Sequence, residues 1–391
     1  MAQMPRYPVD RGNIIEYVET QLDSLATRPF CDVDSLVLSW LSYCAFPDSC
    51  RTRRGAGLAE LYDRGQLGEV TAVMCDRAAF RHMLSALVAS PRFRGLRVCS
   101  YVEETDPATD KQFSAVTFRL PEHVTYVAFR GTDGSLVGWR EDFNIALETE
   151  LPSQRSAVEY VGRVAGAYRG QLWLGGHSKG GNLAVYAAMM CPERIARRIV
   201  AAYSHDGPGF PASFIDSPTW RDRSGLVRKT IPHQSVIGMI FELQDDYRVV
   251  RATSDGIMQH DPFSWVVDGQ DFSYARELSL GARHLDASIK SWVTSVSHDD
   301  RALFVDTLFD VLGASGKQAF HEIGEDWQAA LPAMLERMGQ IPPDQREVLG
   351  KIVWAFVQEL ASDQGQRPFD GTLQPLQAKL AEWFGTSPKG A

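Results

Sequence analysis

Apolar positions recur at helical spacing near both ends of the chain and at strand spacing through its middle. Asn13 precedes Ile14, Ile15, Val18, Leu22 and Leu25, a capped start followed by a one-sided stripe, and this predicts a helix. A second helix is predicted from Val33 to about Ala45, with Leu36, Val37, Trp40 and Leu41 inward, and a third from Asp76, carrying Phe80, Met83, Leu84, Leu87 and Val88. The texture then changes. Arg97–Glu103, Phe113–Leu120 and Val124–Phe129 are rich in β-branched and aromatic residues and are parted by polar, Pro-containing turns, so they predict three strands. Ser153 predicts the cap of a helix bearing Val158, Val161, Val164 and Tyr168. The short run Leu172–Leu174 then predicts a buried strand, and Gly180 to Met190 a helix of small residues. Ile199–Ser204 and Tyr247–Arg251 read as further strands. From about Asp286 the period is helical again, first over Leu303, Val305, Leu308, Phe309 and Leu312, then over Val348, Ile352, Val353, Phe356 and Leu360.

Strands alternating with helices predict an α/β protein with a mostly parallel central sheet and helices on both faces. Three segments follow: residues 1–95, a helical segment packing on the core; 96–290, the α/β core; and 291–391, a C-terminal helical extension.

Composition narrows the function classes. With 391 residues, 44% of them hydrophobic and 23% charged, the chain is neither disordered nor a disulfide scaffold. Lys plus Arg is 40 and Asp plus Glu 49, giving 40 − 49 = −9, and without a basic run this argues against nucleic acid as a partner. The longest apolar stretch, Leu36 to Phe46, falls far short of the roughly 20 residues of a membrane helix, so no transmembrane segment is expected. The first eight residues lack the apolar centre of a signal peptide, and the expectation is a cytoplasmic protein, for which a homo-oligomer is compatible. Cys31, Cys44, Cys50, Cys75, Cys99 and Cys191 are scattered without a C-x-x-C pair and read as reduced thiols. No zinc-spaced His/Cys set, P-loop or G-x-G-x-x-G occurs, so neither a metal nor another cofactor is expected.

The chemistry sits in Leu172–Asn182, L-W-L-G-G-H-S-K-G-G-N, which holds G-x-S-x-G as Gly176, His177, Ser178, Lys179 and Gly180. The pattern alone is weak. A preceding apolar strand and a following Ala-rich helix make it the strand–turn–helix of a nucleophile elbow, with Ser178 as nucleophile. A serine hydroxyl needs a base, and the base an orienting acid. Among the later histidines, His260 in M-Q-H-D-P-F follows a strand and a glycine, so it is the candidate base. Asp206, opening D-G-P-G-F after a strand, is the first candidate acid, and Asp245 and Asp246 are the alternatives. An oxyanion hole needs two donors: the backbone N–H of Lys179 is one, and Thr132, at the end of V-A-F-R-G-T, the other. Gly131, His177 and Phe210 are expected against the substrate. The Lys179 side chain either reaches solvent, pairs with a carboxylate such as Asp142, or attracts an anionic substrate.

These motifs resemble the class 3 lipases, whose signatures are F-R-G-[ST] at the oxyanion strand and G-H-S-x-G at the elbow. More closely, the chain resembles the Mbeg-like family of bacterial α/β-hydrolase proteins, largely of unassigned function. The stretches that carry the likeness are Asp34–Phe46, Phe129–Thr132 with Trp139 and Asp142, Gly176–Asn182, Asp206–Phe210, Ser235–Met239 and Gly256–Trp265, continuing into R-A-L-F-V-D-T-L-F. The resemblance implies an α/β-hydrolase core with Ser178 as nucleophile and His260 as base. Where class 3 lipases carry an aspartate before a strand-end D-x-V-P, this chain has Gln234-Ser235, so the acid must come from elsewhere. The expected activity is hydrolysis of a small-acyl or lipid-like ester through an acyl-enzyme, with Phe210–Leu226 or the terminal helices as a cap. The rivals are an amidase or peptidase on the same triad and a non-catalytic binding protein of the same fold.

Overall fold

The computed structural model describes residues 12–72, 75–121, 123–133, 135–144, 150–240, 243, 246–283, 298–317, 333, 336–337 and 339–341. The chain divides into two compact units, Met1–Ser279 and Leu280–Ala391. The first opens with helices α1 (Ile14–Thr20) and α2 (Asp32–Leu41), strand β1 (Ala56–Gly57), and helices α3 (Leu58–Asp63) and α4 (Arg77–Ala89). Strands β2 (Arg97–Asp106), β3 (Lys111–Arg119) and β4 (Thr125–Phe129) follow. Then come α5 (Leu136–Asn144), α6 (Pro152–Ala167), β5 (Leu172–His177), α7 (Lys179–Met190), α8 (Glu193–Ala196) and β6 (Ile199–His205). The unit closes with α9 (Ala212–Ile215), α10 (Pro218–Arg223), β7 (Val227–Pro232), β8 (Arg248–Val250) and the small hairpin β9 (Val267–Asp268) and β10 (Asp271–Phe272). In the second unit, α11 (His298–Gly313) buries Val305 and Phe309. The apolar run Val348–Leu360 lies outside the described residues.

Strands β1 to β8 form one sheet in simple sequential order. The β1 to β4 pairs are antiparallel and the β4 to β8 pairs parallel. Successive parallel strands laid down in one direction, with connections of one hand, put their crossover helices on the same face. The other face would then be bare, and here the N-terminal helices cover it. Strand alternation shows the division residue by residue. Val127, Phe129, Leu172, Leu174 and Ala202 pack with α6 and α7, whereas Tyr126, Ala128, Trp173, Ala201 and Tyr203 pack with α1, α2 and α4. This is the α/β-hydrolase fold, with helices on both faces of a mostly parallel sheet.

Local chemistry explains most of the element boundaries. Asn13 caps α1 by accepting from the Ile15 N–H, and Asp76 caps α4 by accepting from Ala78 and Ala79. Because α1 ends at Thr20, Leu22 falls outside it and is exposed. Helix α2 stops at Leu41, four residues before its predicted end. Ser153 is not a cap. Pro152 takes the first helical position, where a missing N–H costs nothing, and the Ser153 N–H instead donates to Glu141 at 3.0 Å. A buried ion pair anchors the N-terminal helices: Arg92 Nη2 to Asp34 Oδ2 at 2.5 Å, with the Tyr17 hydroxyl on Asp34 Oδ1 at 2.9 Å. Its guanidinium also donates to the carbonyls of Asp23, Arg28 and Pro29, which leaves the buried cation fully partnered. No helix among the described residues is long and apolar enough to cross a membrane, and all six cysteines are free thiols.

Candidate active site

Strand β5 ends at His177 and α7 begins at Lys179, so Ser178 is the whole of the turn between them, at φ 58° and ψ −136°. That backbone is costly for an L-residue and persists only where its surroundings over-determine it. They do: the Ser178 N–H donates to the His205 carbonyl and its own carbonyl accepts from Gly181, both at 2.9 Å. The flanking glycines are steric necessities. A Cβ on Gly176 would lie 2.2 Å from the Gly180 carbonyl carbon, and one on Gly180 would lie 2.1 Å from the Phe129 oxygen. The loop after β4 rests on this elbow, since a Cβ on Gly131 would meet the Tyr43 hydroxyl at 2.2 Å and Ser178 Cβ at 3.0 Å.

His260 lies in the short helical turn Gly256–His260 and its Nδ1 pairs with Asp206 Oδ2 at 2.6 Å. Asp206, 1% exposed, directly follows β6 in the left-handed region (φ 51°), with its N–H fixed on the Thr230 carbonyl at 2.8 Å. Its other oxygen accepts the Ser235 hydroxyl at 2.5 Å and the Gly238 N–H at 3.1 Å. An ionised carboxylate only accepts, so His260 Nδ1 is the donor of this pair, and in the neutral imidazole Nε2 is then the nitrogen that can accept a proton. Of the alternative acids, Asp246 is exposed before β8 and Asp245 lies outside the described residues. Ser235 and Gly238 had no role in the sequence reading. S-V-I-G-M was visible as a motif, but nothing in it revealed that a hydroxyl and an amide would hold a carboxylate from another strand. The departure at Gln234-Ser235 thus has a structural counterpart: Ser235 donates to an aspartate at the end of β6. Among the described residues no hydrogen bond joins Ser178 Oγ to His260; such bonds are often long before substrate binds.

His177, 2% exposed, faces the histidine loop: its Nε2 donates to the His260 carbonyl at 2.8 Å, and the two rings lie 4.3 Å apart. Its Nδ1 then accepts from the Tyr43 hydroxyl at 3.3 Å. Burial, reinforced by the neighbouring His260, holds the His177 pKa well below its ordinary 6.5, so the ring is neutral. Tyr43, on the turn after α2, is the functional neighbour that the sequence reading passed over, although it lies within the stretch Asp34–Phe46 that carries the family likeness.

Thr132 donates its hydroxyl to Asp142 Oδ2 at 2.5 Å. The Lys179 side chain is 1% exposed and turned away from solvent, with Nζ 3.0 Å from Glu141 Oε2 and 3.8 Å from Asp142 Oδ1. A role in drawing in an anionic substrate is thereby set aside, because the charge is spent inside the protein. Asp142 is pushed up to about 6, first by burial and then by Glu141, against the lowering pull of Lys179 and the Thr132 hydrogen bond. Phe210 also departs from expectation: it is 5% exposed, its ring stacked 4.7 Å from Phe214 and 5.8 Å from Trp220 in the core on the α7 side, a packing position. Trp139 belongs to α5, in the same helix as Glu141 and Asp142. No group of three or more His, Cys, Asp or Glu side chains among the described residues could hold a metal ion.

A family model described as Mbeg1-like matches residues 87–310, more than half of the chain. Among solved structures, the chain is similar to M37 lipase, at 15% identity and TM-score 0.35 over 54% of this chain and 69% of that one. It is similar also to the Rhizomucor miehei lipase in its propeptide complex, at 15% identity and TM-score 0.31 over 58% and 74%. No match was found among curated proteins.

Proposed function

The chain belongs to the Mbeg1-like family, and we propose that it is a serine hydrolase that cleaves a carboxylic ester of a small-acyl or lipid-like substrate. The observation that supports the reading is a strained serine elbow at the end of β5 and, at the end of the neighbouring β6, a buried aspartate that holds Nδ1 of His260, whose ring lies 4.3 Å from that of His177, the residue before the serine. His260 Nε2 takes the Ser178 proton as Oγ attacks the ester carbonyl, and Asp206 fixes the tautomer and stabilises the imidazolium that forms. The tetrahedral oxyanion is received by the backbone N–H groups of Lys179 and Thr132, each worth about 10²–10³ in kcat. Collapse expels the alcohol with the proton from His260. Water, deprotonated by the same imidazole, then clears the acyl-enzyme.

Short p-nitrophenyl esters test the proposal. Wild type is expected to hydrolyse them with a burst and to carry the acyl group on the Ser178 peptide in mass spectra of the quenched enzyme. Ser178→Ala should abolish both signals. Folded wild type without turnover on any ester from acetyl to decanoyl would contradict the reading. Matched esters and amides separate ester hydrolysis from the amidase alternative, with a kcat/KM preference for the ester above about a hundredfold expected, equivalent to roughly 2.7 kcal/mol.

A further inference from the structure

We propose that Lys179 is a positioning residue whose ammonium group fastens both oxyanion donors in place, its own backbone N–H at the elbow and that of Thr132 through Asp142. The inference deepens the hydrolase reading above and rests on it.

A lysine at the first position of a helix opposes the helix dipole, and lysines are rarely buried. Both costs are incurred at Lys179, which is 1% exposed at the start of α7. What offsets them is a complete set of acceptors. Nζ donates to the Gln112 carbonyl at 3.0 Å, to Gln112 Oε1 at 2.8 Å and to Glu141 Oε2 at 3.0 Å, which satisfies all three of its protons. Glu141, itself 1% exposed, also accepts the Gln112 N–H at 3.0 Å and the Ser153 N–H at 3.0 Å. Strand β3, helix α5, the first turn of α6 and the nucleophile elbow therefore meet at one ammonium.

The same nitrogen also faces Asp142. The Oδ1 of Asp142 is buried and makes no hydrogen bond among the described residues, and Lys179 Nζ stands 3.8 Å from it; Oδ2 takes the Thr132 hydroxyl at 2.5 Å. Gly138 permits this approach of α5, because a Cβ there would lie 2.8 Å from Thr132 Cγ2 and 3.2 Å from Gln112 Oε1. The charged and titratable groups facing Asp142 are Lys179 from α7, Glu141 from its own helix and the imidazole of His260 from the histidine loop, with the Thr132 hydroxyl from the loop after β4. Without the ammonium, two adjacent carboxylates would stand beside the developing oxyanion and repel it. Asp142 would protonate at a higher pH, and Thr132 would lose its charged acceptor.

Lys179→Met in the full chain tests this, with Lys179→Met/Glu141→Gln as the second variant, since it leaves no uncompensated Glu141 charge if the single change does not fold. Turnover of p-nitrophenyl butyrate is followed from pH 5 to 9, and the Asp142 carboxyl carbon is titrated by NMR, identified by its loss in Asp142→Asn. We expect KM within about threefold of wild type and kcat lower by about a hundredfold. The acid limb of kcat and the Asp142 midpoint should both move up by about one pH unit or more, in the double variant as well because the lost cation outweighs the lost Glu141 charge. Asp142→Asn added to either variant should cancel the movement of the limb without restoring kcat. A folded variant with wild-type kcat and an unmoved limb overturns the proposal, and so does an unmoved Asp142 midpoint. If wild type turns over no ester, the hydrolase reading fails, while the NMR midpoint still decides whether Lys179 governs Asp142.

Discussion

At Asp206 both carboxylate oxygens are engaged, one by His260 and the other by Ser235 and Gly238, and only Asp206, of the described candidates, reaches the imidazole. Asp206→Asn is therefore expected to lower kcat by about 10⁴, through loss of the tautomer that leaves Nε2 free, whereas Asp246→Asn should stay within twofold of wild type. Esterase kinetics on the two variants, with matched thermal unfolding curves, check the pair. His177 acts at one remove, through the His260 carbonyl. His177→Phe should cut kcat with little change in KM, because the loop bearing the base loses its tie; a rise in KM with kcat unchanged would instead make His177 a substrate contact. At this scale the sequence revealed residues whose chemistry is local. The elbow is one chain segment with its glycines at fixed offsets, so Ser178 could be found from pattern alone. His260 followed from chain order. The contribution of Ser235, Gly238, Tyr43 and Glu141 could not, since each acts across tens to more than a hundred positions of sequence and has no spacing rule.

Long, strongly periodic elements were readable from the chain, and short or polar ones were not. Helices α1 and α4 begin at the caps their sequences announce, and β2 to β6 lie where β-branched and aromatic residues concentrate. Strand β7, V-R-K-T-I-P, went unseen because its charged and polar positions mask the alternation; Lys229 is nonetheless buried with its ammonium on the Gly238 carbonyl. Helix α5 was missed too, and it carries Glu141 and Asp142. The sequential strand order assigns α2 to the face left bare by the crossovers, so α2 is part of the core and its loss should be felt there. Leu36 is fully buried in that layer, and Leu36→Ala is expected to cost about 2–5 kcal/mol, measured by urea unfolding. A cost under about 1 kcal/mol would mean that the helix layer is not integral to the fold.

Across the whole molecule the two buried histidines near the sheet's C-terminal edge set how the fold responds to acid. His205 is pushed down to about 3 by burial, with Nδ1 on Thr230 at 2.7 Å and Nε2 on Ser35 at 2.9 Å, and His177 is also held well below 6.5. The unfolded chain protonates both near 6.5, so their contribution is fully present above that pH and is lost as pH falls from about 6.5 toward the folded-state values. Between pH 8 and pH 5 His205 should remove about 2 kcal/mol of stability, with His177 acting in the same direction, and His205→Asn should flatten the slope in unfolding experiments across that range by about that amount. Ser178, His260 and Asp206, from three separate stretches of chain, are proposed to form one activated nucleophile. The most direct measurement is covalent labelling by a fluorophosphonate probe, comparing wild type with Ser178→Ala and His260→Ala, each shown to be folded. Wild type should carry one label per chain, on Ser178, and neither variant any. Labelling that persists in Ser178→Ala, or a folded wild type that takes no label while also failing to hydrolyse a short p-nitrophenyl ester, would contradict that proposal.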